Sequence, residues 1–298
     1  MRFACGLLVI AIHAQPLVDH HQHLLRSALN PPVGIALTAQ DLIAQMDQAN
    51  IRRAAVLSVA YMMGNPNRPP VDKEYERVKA ENNWTRDQAK LYPTRLRAIC
   101  SVNPMKEYAP AEIARCAADP GLRAGLKLHF GNSDVDLNDL THVIKLQAVF
   151  HQANRHHMAL ILHIRANVDH NRPWGAKQAR VFLERMLPQA PNVPVQIAHM
   201  ASAGSLDEAS DDALMVFVNA IRANDQRVNR LFFDISVDWG TNPDLLVKRL
   251  RAIGLNRILY ASDSPPGPAW QKLQTLPLTP AEFRTIERNV APYMRSLH

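Results

Sequence analysis

The stretch Leu17-Val18-Asp19-His20-His21-Gln22-His23 joins the end of an apolar run to a cluster of histidines and an aspartate. Side chains alternate along a β-strand with a period of two, so His21 and His23 are predicted to point to one side of the strand. His20 and Gln22 then point to the other side. Because paired imidazoles at the end of a buried strand are well suited to hold a metal ion, this stretch predicts both a first strand and the chemistry at its end.

Outward from this stretch, apolar strand-like runs alternate with amphipathic helical stretches along the whole chain. Strands separated by helices pair in parallel, and eight such units in 298 residues predict a single (β/α)8 barrel, a TIM barrel. The alternative is an open doubly wound sheet, which would show a glycine-rich phosphate loop after an early strand, where histidines stand instead. The predicted strands end at Asp19 and then cover 54–60, 96–102, 125–129, 159–164, 195–198, 231–235 and 258–261. The predicted helices cover 38–49, 73–91, 109–118, 140–157, 176–187, 205–223, 243–253 and 279–294.

The ends of four later strands carry polar side chains of the kind that bind metals, at the barrel face where catalytic groups lie. The other strand ends are ordinary. The residues are Lys127 and His129 after strand four, His163 after strand five, His199 after strand six and Asp263 after strand eight. A buried imidazole or carboxylate is costly unless it is paired or coordinated. The histidine pair of strand one, together with His163 and Asp263, therefore predicts a site for zinc or a similar divalent ion.

The composition is that of an ordinary globular enzyme, with 47% hydrophobic and 20% charged residues. The formal net charge of +7 is spread along the chain, and no basic run of the kind that binds nucleic acid is present in the sequence. A nucleic-acid partner is therefore not favoured, whereas a basic surface suits a small anionic substrate. No run after residue 12 is long and apolar enough to span a membrane.

The first residues resemble a short secretory signal, with Arg2 before the apolar run 3–12 and cleavage after Ala14. The alternatives are a first buried strand or a misplaced start codon. Cleavage would leave residues 15–298 as the barrel domain, in the periplasm or outside the cell; without it the protein is cytoplasmic. A disulfide between Cys100 and Cys116 is expected only in an exported chain. No Cys-x-x-Cys pattern occurs, so a thiolate zinc site is not predicted.

The chain resembles the amidohydrolase superfamily over nearly its whole length, and most closely the amidohydrolase-related branch that includes aminocarboxymuconate-semialdehyde decarboxylase and metal-dependent lactonases. The matching motifs are Asp-x-His-x-His at Asp19, His21 and His23, Gly-x-Lys-x-His at Gly125, Lys127 and His129, the histidines His163 and His199, and Ser-Asp-x-Pro at Ser262, Asp263 and Pro265. This branch often has His-x-Gly-Gly after strand six, where the present chain has His199-Met200-Ala201-Ser202. By analogy with the family, the resemblance also implies a homodimer.

The family has two metal arrangements. In one, a single zinc ion is held by residues that match His21, His23, His163 and Asp263, and the residue that matches His199 is an acid–base or polarising group. In the other, a carboxylated lysine that matches Lys127 bridges two ions. The single ion is favoured because relatives in this branch usually have it, and Lys127 would then bind substrate.

These features predict a metal-dependent hydrolase that acts on an amide or lactone of a small anionic substrate. Asp263 would take the proton of the attacking water, and His199 would stabilise charge on the substrate carbonyl. The predicted substrate-binding residues are Lys127, His129, Arg165, Trp174 and Trp239, with Arg165 directed at a carboxylate. A decarboxylase would use the same residues and stays open. A TatD-like nuclease ranks below these two reactions, because such nucleases usually have a glutamate at the place of Lys127. A non-catalytic binding barrel ranks last.

Overall fold

Eight parallel strands follow one another in chain order around a barrel. This computed structural model describes residues 16–26, 36–238, 240 and 242–295, so the predicted signal segment and Trp239 lie outside the described residues. The strands are β1 (Val18–Gln22), β2 (Arg53–Leu57), β3 (Leu96–Ser101), β4 (Gly125–His129), β5 (Ala159–His163), β6 (Val195–Ile197), β7 (Leu231–Asp234) and β8 (Ile258–Leu259). The first and last strands meet where the His20 amide donates to the Tyr260 carbonyl at 3.0 Å and the Asp263 amide donates to the His21 carbonyl at 2.9 Å. The predicted (β/α)8 barrel is confirmed.

Helices alternate with these strands. In the described part of the chain they are α1 (Ala39–Gln48), α2 (Glu74–Lys90), α3 (Ala109–Ala118), α4 (Leu140–Arg155), α5 (Ala176–Val181), α6 (Glu208–Arg222), α7 (Pro243–Ile253), α8 (Pro266–Leu273) and α9 (Pro280–Arg288). The side chain of Thr38 accepts from the Asp41 amide and Asp41 returns the bond, which fixes the start of α1 where the sequence predicts it. None of these helices is both long and apolar enough to cross a membrane.

Two elements near the C-terminus differ from the prediction. Helix α8 was not predicted. Its prolines, Pro266 and Pro268, stand in the first turn, where a missing amide proton costs nothing. The last predicted helix ends early, at Arg288. The Asn289 side chain donates to the carbonyls of Leu255 and Ile258, at 2.7 and 2.6 Å, and turns the chain towards the barrel.

The C-terminal segment 291–294 fills the barrel interior at the N-terminal ends of the strands. Ala291, Tyr293 and Met294 pack in one cluster with inward-facing strand residues such as Ile99 and Ile161. The Arg53 guanidinium, at the start of β2, donates to the Met294 carbonyl at 2.8 Å. This segment therefore closes the N-terminal end of the barrel and leaves the C-terminal ends of the strands for chemistry.

A disulfide joins Cys100 in β3 to Cys116 in α3, and both residues are fully buried. The two residues are 16 positions apart. A bond that closes a loop of this length restricts the unfolded chain and stabilises the native state by about 3 kcal/mol. The bond thus ties one barrel strand to the helix outside it.

We expect reduction of this bond to lower the free energy of unfolding by about 3 kcal/mol, because the unfolded chain regains the entropy of the open loop. Thermal unfolding followed by circular dichroism, with and without a thiol reductant, measures the change. The double variant Cys100→Ala/Cys116→Ala is the control and should show a transition that does not respond to reductant. Equal transitions for the wild type in both buffers would contradict the prediction.

Candidate metal centre

A cavity of about 490 Å³ opens at the C-terminal ends of the strands. A barrel of this kind carries its active site at this face. The predicted site residues that line the cavity are His21, His23, Lys127, His129, His163, His199 and Asp263. The structure therefore brings together the residues that the sequence singled out at strands one, four, five, six and eight.

Three imidazole nitrogens lie around one carboxylate. The Nε2 atoms of His21 and His23 are 3.2 Å apart, and they lie 3.7 and 3.6 Å from Oδ1 of Asp263. Nε2 of His199 lies 3.7 Å from Oδ2 of the same aspartate. Ligand atoms of His21, His199 and Asp263 all fall within 4.8 Å of one another. Imidazole nitrogen and carboxylate oxygen are the donors that zinc and similar divalent ions take, so the chemistry of the set fits such an ion.

The outer hydrogen bonds of these imidazoles fix their tautomers. Nδ1 of His21 donates to Asp234 at 3.0 Å, Nδ1 of His23 to the Leu57 carbonyl at 2.7 Å, and Nδ1 of His199 to the Ser236 carbonyl at 2.6 Å. Because these oxygens can only accept, each Nδ1 carries the proton and each Nε2 keeps its lone pair for the cavity.

Burial keeps the rings of His23 and His199 neutral. It lowers the pKa of His23 to about 3 and lowers the pKa of His199 as well. Burial opposes the charge of Asp263, but the imidazoles of His21, His23 and His199 hold the pKa of that carboxyl below its usual value. At neutral pH the site therefore combines the neutral nitrogen donors of His23 and His199 with the ionised carboxylate of Asp263.

Asp234, the last residue of β7, is a part of the site that sequence reasoning missed; the expectation that this strand has an ordinary end is wrong. Its side chain is fully buried and accepts from His21, from the Gln196 amide at 2.8 Å and from the His199 backbone amide at 2.8 Å. Burial opposes its charge, yet the adjacent His21 imidazole and these hydrogen bonds hold the pKa of Asp234 far below the usual range. The signal was present in the sequence, since an apolar run, Leu231 to Phe233, ends in this carboxylate.

Asp19 supports the site from below. It accepts from the backbone amides of His21 and Ser262, each at 3.1 Å, and from the Gln22 side chain at 3.0 Å. Its carboxylate thus joins the ends of β1 and β8 that carry His21 and Asp263. As predicted, His20 and Gln22 are not among the residues that line the cavity.

His163 and His129 form a stacked pair in the cavity wall. Their ring centroids are 3.8 Å apart and the ring planes are 12° from parallel. The His163 ring lies 5.1 Å from that of His199, but in the described part of the chain neither His163 nor His23 belongs to the group of His21, His199 and Asp263 whose ligand atoms all lie within 4.8 Å of one another. The role of His163 as a metal ligand stays a prediction. His199, from its position, is an equally good candidate for that ligand.

Lys127 is buried beneath the same cluster, with Nζ 3.2 Å from Nε2 of His21. Burial lowers the pKa of its amino group to about 8. The contact with Nε2 of His21, in the wall of the cavity, fits either of the predicted roles of Lys127, a substrate contact or, once carboxylated, a bridge between two ions.

Two predicted substrate contacts have other partners in the structure. The Arg165 guanidinium donates to Asp207 at 2.6 Å and to the Ser210 hydroxyl at 2.7 Å, and it does not line the cavity. It therefore holds the start of α6 instead of facing a substrate carboxylate. The Trp174 indole donates to the Ala201 carbonyl at 3.1 Å and is buried outside the cavity wall. Trp239 lies outside the described residues.

Tyr61 lines the cavity although no sequence pattern indicated it. Its backbone amide donates to the Ser101 hydroxyl at 3.1 Å, and its ring lies 5.2 Å from that of His129. Burial raises the pKa of the phenol, so the hydroxyl stays protonated. The residue stands in a 3₁₀ turn, Ala60–Gly64, after β2, where residue type and spacing give no periodic signal.

The backbone after β6 is left-handed at three consecutive residues, His199, Met200 and Ala201, with φ of 53°, 54° and 68°. Residues with a Cβ atom adopt this region at a cost, and such conformations cluster at functional sites. The family motif has glycine at the places of Ala201 and Ser202: Ala201 keeps a left-handed backbone without the glycine, whereas Ser202 is extended, with φ of −102°. Asp263 is also left-handed, with φ of 46°.

Comparison with known proteins places these observations in a family. A family model described as amidohydrolase matches residues 18–289. A search of curated proteins gives no significant match to the chain.

Several solved structures share the fold at low identity. The 2,6-dihydroxybenzoate decarboxylase from Rhizobium is 16% identical, with a TM-score of 0.65 over 94% of this chain and 98% of that one. The 5-carboxyvanillate decarboxylase from Novosphingobium aromaticivorans, in complex with manganese and a nitrobenzoic acid, is 14% identical, with a TM-score of 0.64 over 95% and 97%. A protein described as a probable 2-pyrone-4,6-dicarboxylic acid hydrolase from Acinetobacter baumannii, with citric acid bound, is 16% identical, with a TM-score of 0.55 over 91% and 90%.

Proposed function

Because the chain belongs to the amidohydrolase family, we propose that it is a metal-dependent hydrolase that cleaves an amide C–N or lactone C–O bond in a small anionic substrate. The observation that supports this most is that Nε2 atoms of His21, His23 and His199 lie within 3.7 Å of the Asp263 carboxylate in a cavity of about 490 Å³. A cavity of this volume suits a small molecule.

The residues fit one divalent ion, and zinc is the ion we propose. His21, His23 and Asp263 would hold it, with His163 or His199 as a further donor. Such an ion polarises a substrate oxygen and lowers the pKa of a water that it holds. Manganese, bound in the 5-carboxyvanillate decarboxylase, carries the same charge and takes similar donors.

Asp263 is the proposed proton acceptor. Its carboxylate is ionised at neutral pH and stands beside three imidazoles, with a third of its side chain exposed to the cavity. It can take a proton from an attacking water and return it to the leaving group. One group thus serves both halves of a hydrolysis.

Of the two roles that the sequence suggests for His199, we propose the acid–base role before the polarising one. With the Nδ1 proton held by the Ser236 carbonyl at 2.6 Å, the neutral ring presents a lone pair to the cavity, not a proton. It therefore acts as an acceptor or a metal donor before it can stabilise negative charge. Lys127, the buried cation beside His21, is the better candidate to stabilise an anionic substrate.

Decarboxylation is the second candidate. The decarboxylases that share the fold favour it, and it would use the same residues. Asp263 or His199 would first accept a proton from water or from a hydroxyl of the substrate, and would then deliver it to the carbon that loses carbon dioxide.

Product analysis distinguishes the two reactions. The full chain is incubated with simple lactones, amides and ortho-hydroxybenzoic acids, before and after removal of metal by a chelator and readdition of Zn²⁺ or Mn²⁺. We expect a new carboxylic acid from a lactone or an amide, loss of the activity on chelation and its recovery with the ion. Carbon dioxide release would replace hydrolysis with decarboxylation, and an activity that survives chelation would overturn both.

Export is a further part of the proposal. A buried disulfide such as Cys100–Cys116 persists in an oxidising compartment, which supports the interpretation of residues 1–14 as a signal. Detection of the mature N-terminus at Gln15 in exported protein would test it.

A further inference from the structure

We infer that Tyr293 and Gln196 are positioning residues for the metal centre, and that they act through a column of hydrogen bonds inside the barrel. The inference rests on the proposed metal site, since its effect is exerted on His21. It assigns a role to the C-terminal segment, which lies at the end of the barrel far from the cavity.

The column has four members. The Tyr293 hydroxyl donates to Oε1 of Gln196 at 2.6 Å, and Nε2 of Gln196 donates to Oδ2 of Asp234 at 2.8 Å. The same Oδ2 accepts from Nδ1 of His21 at 3.0 Å. Gln196, Asp234 and His21 are each at most 2% exposed and Tyr293 is 8% exposed, so bulk water offers these groups few other partners.

The direction of every bond in the column is determined by its chemistry. An ionised carboxylate can only accept, so Asp234 requires the amide NH₂ of Gln196 to face it. This leaves Oε1 of Gln196 towards Tyr293, whose hydroxyl must then donate. Without that donor, Oε1 would be a buried acceptor with no partner, or the amide would turn and place an oxygen against the carboxylate. The phenol therefore selects the one orientation of Gln196 that supports Asp234.

The column ends at the tautomer of His21. Asp234 holds the proton on Nδ1 and thereby leaves the lone pair of Nε2 for the cavity, 3.2 Å from Nε2 of His23. Loss of a group in direct contact with a metal-binding histidine typically weakens metal binding by about 10–100-fold. Tyr293 lies two bonds further out, so a smaller effect of the same kind is expected.

Packing alone does not account for the hydroxyl. The Tyr293 ring packs in the barrel interior with Ala291 and Met294. It lies edge to face with the His20 ring, and the two ring centroids are 6.3 Å apart. A phenylalanine would fill that space equally well. Tyr293 also lines a separate cavity of about 800 Å³ beside the N-terminal ends of the strands, so the column runs from one face of the barrel to the other.

The test is the variant Tyr293→Phe, which removes only the hydroxyl. Zn²⁺ affinity of the full chain, first stripped by a chelator, is measured by competition with a metal indicator. We expect an affinity about 3–10-fold lower than that of the wild type, less than a direct partner would give. The matched control is Tyr108→Phe, which removes a tyrosine hydroxyl bonded to Glu74 at 2.6 Å in the outer helices and should leave the affinity unchanged.

A second readout does not need the metal. The Nδ1 proton of His21 should give a downfield proton NMR signal, identified by its absence from a His21→Ala variant, and Tyr293→Phe should shift it while Tyr108→Phe does not. Unchanged affinity and an unchanged signal would overturn the inference. If the wild type itself binds no Zn²⁺, the proposed function fails, and the signal alone still decides whether the column exists. Should Tyr293→Phe not fold, Gln196→Met breaks the same column at its next member, and the same two readouts apply.

Discussion

Replacement of His21 by alanine is expected to remove the bound divalent ion and to lower turnover about 1,000-fold. Nε2 of His21 stands at the centre of the site, within 3.7 Å of His23, Lys127 and Asp263. Metal ions supply several kcal/mol of transition-state stabilisation, and about 1.4 kcal/mol corresponds to a tenfold rate, so losing the ion costs on the order of three powers of ten.

Elemental analysis of the purified protein measures this result. His151→Ala is the matched control, since His151 is an exposed residue of α4 away from the cavity. Because alanine leaves the buried Asp234 without its His21 partner, His21→Asn, which can still donate, shows whether the loss comes from misfolding. Full metal content in His21→Ala, or none in the wild type, would sink the claim. A stoichiometry near two in the wild type would move Lys127 into the metal site.

The second large effect is expected at Asp263. Asp263→Asn keeps the size of the side chain and removes the negative charge that faces His21, His23 and His199. Loss of a general base lowers the rate by about 100- to 10,000-fold. Since a third of this side chain is exposed, the variant should keep its thermal stability, so that activity falls without unfolding.

Steady-state kinetics on the substrate found by product analysis provides the measurement, and Asp225→Asn serves as control. Asp225 is a distant carboxylate that pairs with Arg227 on the surface. A turnover number for Asp263→Asn within a few-fold of the wild-type value would remove this residue from the proton-transfer role. Proton acceptance would then pass to His199.

The barrel and most of the cavity wall could be predicted from the sequence because both follow from local patterns. Buried strands of a closed parallel barrel are continuous apolar runs, and the polar residue that ends each run must lie at one face. His21, His163, His199 and Asp263 were found in this way. The same rule finds Asp234 when strand seven ends at residue 234, as it does in the structure, and not at the predicted residue 235.

Other parts of the site depend on contacts between elements that are distant in the sequence. Arg165 was predicted to share the direction of His163, but the start of α6 places Asp207 within reach of its guanidinium. No spacing rule shows that pairing, because it depends on how a helix is placed against the barrel. The roles of Tyr61 and of the C-terminal segment 291–294 were not predicted for the same reason, since such short turns carry no periodic pattern.

The left-handed turn at His199–Ala201 has a consequence for how the protein can change. Each such residue stores on the order of 1 kcal/mol that a glycine would not, so a single-base change from alanine to glycine at position 201 offers a route to higher stability. Glycine would also make this turn more flexible, and the turn positions the His199 ring. At present the turn is held by the Trp174 indole, which donates to the Ala201 carbonyl. Selection for thermal stability would therefore favour glycine at position 201, whereas selection for catalytic rate would favour alanine.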